Sequence, residues 1–234
     1  MNNILVFDIE TAGAKFSELD EYSQELLTKR FNKRAQSPEE AEQLKETLAF
    51  YPVTAQVVAI AMLNADTGKG MVLFQQKEKS AAFEEQEAKF ETFGNEAALL
   101  NKFWEVSASY NEYVTFNGRG FDVPFLMIRS AINEIRPAKN LMVNRYAESQ
   151  PFNLKHIDLA EQFSYYGAKN DYLGLHFWAN AFGVQSPKTD EINGDKVTEM
   201  FRQGKTLEIA KYCLRDVRST LEIYKKWNKY LRFF

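Results

Sequence analysis

The chain has 234 residues, of which 45% are hydrophobic and 26% charged, and its 29 basic and 32 acidic side chains leave a formal charge of −3. This is ordinary globular composition, and it does not point to a protein that coats nucleic acid by long-range attraction. It does not exclude nucleic acid as a substrate, because carboxylates that hold cations lower the formal charge while the cations restore attraction to phosphate.

Taken in order, residues 3–9 are almost continuously apolar and rich in β-formers, which predicts a short buried strand. The start carries no basic segment and Asp8 breaks its apolar run, so it does not read as a signal peptide. The apolar stretch near Val57 to Leu63 is far too short to span a bilayer. The lone cysteine, Cys213, excludes an intramolecular disulfide and fits a reducing compartment. A soluble, cytoplasmic protein without membrane contact is expected.

From Ser17 to Phe50 the composition shifts to Glu, Lys, Gln, Leu and Ala, and Ser37-Pro38-Glu39-Glu40 marks a helix start. Two helices inserted between strands are predicted there. Val53 to Leu63 and Met71 to Gln75 flank the turn signal Asp66-Thr67-Gly68-Lys69-Gly70 and predict a hairpin. Residues 76–92 are charged and lack apolar periodicity, which predicts an exposed loop or ragged edge. Asn95 to Tyr110 places Ala98, Leu99, Phe103, Trp104 and Val106 on one helical face. Glu112 to Phe116 predicts a strand, and Val123 to Ile132 a helix with Pro124 in its first turn.

Residues 133–155 read as irregular. Ile157–Phe163, Tyr172–Phe182 and Asp195–Phe201 read as short helical pieces, and Thr206–Leu231 as a long final helix. No repeat, low-complexity tract or linker divides the chain, so one domain over 1–234 is expected, with a helical insertion at 17–50. The order predicts an α/β fold, a mixed sheet flanked by helices, with ligand sites at the carboxyl ends of strands.

Three segments carry chemistry. In Phe7-Asp8-Ile9-Glu10-Thr11, residues two apart on a strand share a face, so Asp8 and Glu10 project together. Two such carboxylates repel each other unless something positive lies between them, and Mg²⁺ or Mn²⁺ suits clustered oxygens. The alternative is a strand that ends at Asp8, with both acids solvated. In Asn117-Gly118-Arg119-Gly120-Phe121-Asp122, the glycines permit a tight turn and close approach by a ligand. Asp122 is either a functional carboxylate or a helix N-cap. In Tyr212-Cys213-Leu214-Arg215-Asp216, the Tyr and the last Asp share a helical face one turn apart. The alternative there is a core Tyr and an Asp paired with Arg215 or Arg218.

Together the three segments resemble the motifs of the DEDD (DnaQ-like) 3′–5′ exonuclease superfamily, in its tyrosine-bearing branch, whose fold is ribonuclease H-like. The chain is most similar to a group of exonucleases related to the proofreading domain of family B DNA polymerases. Ser186-Pro187-Lys188-Thr189-Asp190-Glu191-Ile192-Asn193-Gly194, its spacing to Tyr212, and His156-Ile157-Asp158-Leu159 resemble that group as well.

The resemblance implies two divalent cations, Mg²⁺ or Mn²⁺, roughly 4 Å apart in an in-line displacement. It implies that Asp8 bridges both, that Glu10 and Asp216 hold the ion that activates water, and that Asp122 supports the second. Tyr212 orients the water, since a phenol that titrates near pH 10 suits a positioner better than a base. Thr11, Asn117, Gly118 and Phe121 are the expected contacts to the terminal nucleotide. Lys188 is either a phosphate contact or a solvated lysine. Phe121 and Phe125 are either stacking platforms or core, with core the favoured reading. His156 and His176, twenty apart and sharing no metal-binding spacing, are expected to be structural. The basic and aromatic run Lys225–Arg232 reads as an amphipathic helix end. The expected substrate is single-stranded DNA, with RNA or a non-catalytic nucleic-acid-binding module as the alternatives.

Overall fold

The computed structural model describes residues 3–78, 80–169, 173–186 and 196–233. Its centre is a seven-stranded mixed sheet. Strand β1 (Ile4–Gly13) runs antiparallel to β2 (Ala55–Asn64), which pairs antiparallel with β3 (Gly70–Gln75). Beyond β3 lie β5 (Ala88–Phe93), parallel to it, and the edge strand β4 (Phe83–Glu85). On the other side of β1 come β6 (Glu112–Thr115) and β7 (Lys155–Asp158), both parallel, which gives the order β4-β5-β3-β2-β1-β6-β7.

Helices cover both faces, which is why β1 reads as continuously apolar. Leu5, Phe7 and Ile9 pack with α3 (Glu96–Ser107) and α4 (Asp122–Ile132) on one face. Val6 and Ala12 face the other way, toward the long α8 (Thr206–Tyr230), α7 (Val197–Arg202) and α6 (Leu175–Ala181). Asp8 and Glu10 therefore belong to the α8 face by strand alternation. The insertion holds α1 (Glu21–Arg34) and α2 (Pro38–Leu44), and Ser37 caps α2 by accepting the N–H of Glu40 with Pro38 in the first turn. A 3-10 segment, Lys45–Phe50, returns the chain to the sheet. No helix among the described residues is long and apolar enough to cross a membrane.

Two expectations are corrected. Residues 76–92 are not merely a loop, because β4 and most of β5 fall there, with Ala88, Phe90 and Thr92 buried in alternation. The connecting turn places Gln86 and Glu87 at φ 52° and 62° without the Asn or Gly that marks such hairpins. Ile157 is not helical either. His156 to Asp158 extend β7, and the helix α5 (Leu159–Phe163) starts only after Asp158, whose carboxylate accepts the N–H of Ala160 at 3.0 Å.

Candidate functional site

Asp8 and Glu10 lie on the stretch of β1 that α8 crosses. The Cys213 thiol of α8 is 3.4 Å from the Asp8 carbonyl oxygen and 3.8 Å from its Oδ2, which brings Tyr212 and Asp216 to the same place. Asp122 arrives from the opposite side of β1. It opens α4 but does not cap it. Its Oδ1 instead accepts the backbone N–H of Ile9, the residue between Asp8 and Glu10, at 3.1 Å.

The electrostatics follow from burial and crowding. Burial first, and then the charges of Asp122, Asp216 and Glu10, hold the Asp8 carboxyl well above the usual carboxylate range, with the Cys213 thiol opposing. Glu10 is raised by burial and by Asp216 and Asp122. Asp122 is pushed up to about 7, chiefly by burial, although its own N–H and that of Ile9 favour the charged form. Among the described residues, no Lys or Arg forms an ion pair with Asp8, Glu10 or Asp122. Buried carboxylates this close persist in the ionised form only beside a positive charge, and an all-oxygen donor set suits a hard divalent cation. Ligand atoms of Asp8, Glu10 and Cys213 lie within 4.8 Å of one another. Burial and the neighbouring acids raise the Cys213 thiol, so it stays protonated and is a poor ligand for such an ion. The residues fit the cations that the sequence implied.

Tyr212 is buried and carries the Arg215 guanidinium 5.6 Å from its ring centre. Burial and the charge of Asp216 raise its phenol, which keeps it a neutral donor.

The sequence model of a family described as a predicted 3′–5′ exonuclease related to the exonuclease domain of PolB matches residues 49–232. The chain belongs to this family. It is 24% identical over 98 residues to DNA polymerase 1 of Sulfurisphaera ohwakuensis, an alignment that covers 42% of this chain and 10% of that protein. Its fold superposes on the family B DNA polymerase of the archaeon Pyrobaculum calidifontis with a TM-score of 0.58 and 21% identity, over 97% of this chain and 25% of that one. The chain thus spans only a fraction of the length of either polymerase. Its mixed sheet flanked by helices is ribonuclease H-like, as the motifs implied.

The turn before Asp122 is held by a residue that sequence reasoning left without a role. Asp158, at the end of β7, accepts the N–H of Asn117 at 2.8 Å and that of Arg119 at 2.9 Å. An acidic residue before an apolar helical run was the available signal, since that pattern marks a cap. Asn117 sits at φ 61°, a conformation that Asn tolerates better than most residues. Gly118 is packed so tightly on Thr115 that a Cβ would lie 2.3 Å from its Oγ1.

The remaining expected contacts divide. Phe121 is partly exposed beside Asp122 and stacks at a tilt on buried Phe125, with ring centres 5.3 Å apart. The reading of Phe125 as core therefore fits its burial. Thr11 is buried and donates its hydroxyl to the Ala49 carbonyl at 2.8 Å, so its proton is committed to the fold. Lys188 lies outside the described residues. His156 is buried between Thr115 Oγ1 at 2.8 Å and the Leu141 carbonyl at 3.2 Å, and burial pushes its pKa down to about 3. His176 bonds Ser186 Oγ at 2.6 Å. Neither histidine joins the carboxylates. The basic, aromatic end of α8 is tied down by Arg232, which pairs with buried Glu112 at 2.7 Å.

Proposed function

We propose that this chain is a metal-dependent 3′–5′ exonuclease, one domain over 1–234, that releases nucleoside monophosphates from single-stranded DNA with the help of two divalent cations, Mg²⁺ or Mn²⁺. The observation that carries this reading is the convergence of acids from β1, α4 and α8, with Glu10 and Asp122 buried and Asp8 and Asp216 half-buried, mutually repelling and, for Asp8, Glu10 and Asp122, without a basic partner among the described residues. Membership of a family of predicted exonucleases supports it.

In this reading Asp8, Glu10, Asp122 and Asp216 hold the cations. When bound, the ions supply positive charge to the attacking and leaving oxygens of the phosphodiester and ease ionisation of the attacking water. Tyr212, kept neutral by burial and the charge of Asp216, positions the water without acting as its base. Asp158 holds the Asn117 turn rigid, so that Asn117, the Gly118 backbone and Phe121 meet the terminal nucleotide in a fixed geometry. Lys188 contacts a phosphate. Cys213 fills the space behind Asp8 without entering the chemistry.

DNA is favoured over RNA because the named relatives are DNA polymerases. The test uses 3′- and 5′-labelled single strands of DNA and RNA of matched sequence, with Mg²⁺, Mn²⁺ or EDTA. A metal-dependent ladder that shortens from the 3′ end, faster on DNA and absent for Asp8→Ala, is the expected result. Faster shortening of RNA reassigns the substrate. A folded protein that degrades neither strand with any ion overturns the enzymatic reading.

A further inference from the structure

The helical insertion between β1 and β2 ends in an arrangement that the carboxylate chemistry does not explain. Its last 3-10 segment lies against the end of β1, where the Ala49 carbonyl accepts the Thr11 hydroxyl at 2.8 Å. Ala49 and Leu48 pack so closely on Gly13 that a Cβ there would lie 2.7 Å from the Ala49 nitrogen. On the far side, Arg129 of α4 donates to the Pro52 carbonyl at 2.9 Å. The backbone on both sides of Phe50 is thus fixed to the two elements that carry Glu10 and Asp122.

Phe50 itself is 51% exposed, although Leu48, two residues earlier, is buried. Its ring meets Phe121 edge-on, with centres 6.2 Å apart, and Phe121 leans on Phe125. A row of three aromatic rings therefore runs from the core to the solvent beside the acids. Phe121 directly precedes Asp122, and Thr11, bonded to Ala49, directly follows Glu10. An aromatic side chain left half in water, yet held on a rigid backbone, is pre-organised for a flat apolar partner.

Resting on the exonuclease reading above, we infer that Phe50 is a base-stacking residue: with Phe121 it forms a platform for the unpaired bases at the 3′ end of a single strand whose terminal phosphodiester lies at the carboxylates. Stacking on a phenyl face tolerates any base but requires that the base be unpaired. The platform therefore gives the insertion a role in selecting single strands without reading their sequence.

The test needs no turnover. In the Asp8→Ala background with EDTA, the protein is titrated into a DNA oligonucleotide that carries fluorescent 2-aminopurine at its two 3′-terminal positions. A matched strand lacks both terminal bases. Stacking quenches the fluorophore, so quenching on binding is expected with Phe50 present and largely lost in Phe50→Ala and Phe50→Leu. Affinity for the complete strand should fall roughly tenfold in Phe50→Ala, and Phe50→Trp should restore both signals. The strand without terminal bases should bind Phe50→Ala and the parent equally.

Leu keeps most of the packing, and melting temperatures of all variants report whether the fold is intact. Unchanged quenching and affinity in Phe50→Ala overturn the stacking role while leaving the exonuclease reading in place. So does an equal loss on both strands, which is what a purely structural role produces. A parent protein that binds neither strand overturns both readings.

Discussion

The Asp122 carboxylate accepts the backbone N–H of Ile9 at 3.1 Å, a bond between the start of α4 and the middle of β1. The residue therefore does two things that substitution can separate. Asp122→Asn keeps an oxygen for Ile9 but removes the charge, whereas Asp122→Ala leaves a buried N–H without an acceptor. Both variants are expected to lose nuclease activity by a factor of about 100 or more. Only Asp122→Ala should also lose stability, by about 1–3 kcal/mol relative to Asp122→Asn. Denaturant titration beside a ladder assay checks this, and equal stability of the two variants would remove the structural half.

Gly118 and Gly120 look alike in sequence but differ in space. A Cβ at Gly118 would lie 2.3–2.7 Å from three atoms of buried Thr115, which has nowhere to go. At Gly120 the close atom is the Asn117 Oδ1, 2.7 Å away at the tip of an exposed side chain. Gly118→Ala is expected to destabilise by about 1–3 kcal/mol and to impair activity by displacing the turn. Gly120→Ala should be nearly silent in melting temperature. A Gly118→Ala protein with parental stability and turnover would show that the turn tolerates displacement.

How much of this was legible in the chain follows from what each residue needs locally. Asp8 and Glu10 were legible because strand alternation puts them on one face, and Tyr212 and Asp216 because helical spacing does the same. Their convergence was not, since it depends on α8 crossing β1 at Cys213, a contact between residues 205 positions apart. β5 was hidden because Phe90 is the one large apolar side chain among its buried positions Ala88, Phe90 and Thr92, and its turn lacks Asn and Gly. Asp158 was hidden because a cap and a clamp for a distant turn look identical in sequence. The bond that takes the Thr11 hydroxyl proton was hidden for a related reason, since its acceptor comes from the insertion.

His156 makes a prediction about acid. Burial, together with the nearby Arg119 charge, lowers its pKa from 6.5 to about 3. The unfolded chain therefore binds the proton first as pH falls. The contribution of this group is complete above pH 6.5 and is lost between 6.5 and 3, at up to about 1.4 kcal/mol per pH unit. His156→Leu lowers stability at pH 7 by breaking the bonds to Thr115 and Leu141, yet its stability should fall less steeply from pH 6.5 to 4. The difference between the two slopes isolates the histidine from the carboxylates, which titrate in the opposite sense. Parallel slopes in urea titrations at pH 7, 5 and 4 would overturn the assignment.

Tyr212 stays neutral because burial and the charge of Asp216 raise its phenol. Tyr212→Phe preserves the ring beneath Arg215 and removes only the hydroxyl. Turnover should fall by about 10–100-fold with little change in KM, since a group that positions water acts mainly in the transition state. A parallel fall in binding would assign the residue to packing.

The carboxylates themselves make the last prediction. Asp8 and Glu10 are raised by burial and by the charges of Asp122 and Asp216, and Asp122 reaches about 7. For acids raised in the folded state, the protonated form stabilises the fold below the unfolded value of 3.8, and that contribution is lost as pH rises through about 7. Metal-free protein should accordingly melt lower at pH 8 than its Asp8→Asn variant, which lacks one of the repelling charges. Bound cations remove the same repulsion and compete with protons for the same oxygens. The rise in melting temperature on adding Mn²⁺ should therefore be larger at pH 8 than at pH 6. At a concentration about 100 times the dissociation constant it corresponds to about 2.7 kcal/mol, or a shift of about 5–11 °C for a chain of this size. Asp8→Asn should lose most of that shift while keeping its fold. An equal Mn²⁺ shift in both proteins would mean that the ion binds elsewhere, and the four carboxylates would then need another explanation for their crowding.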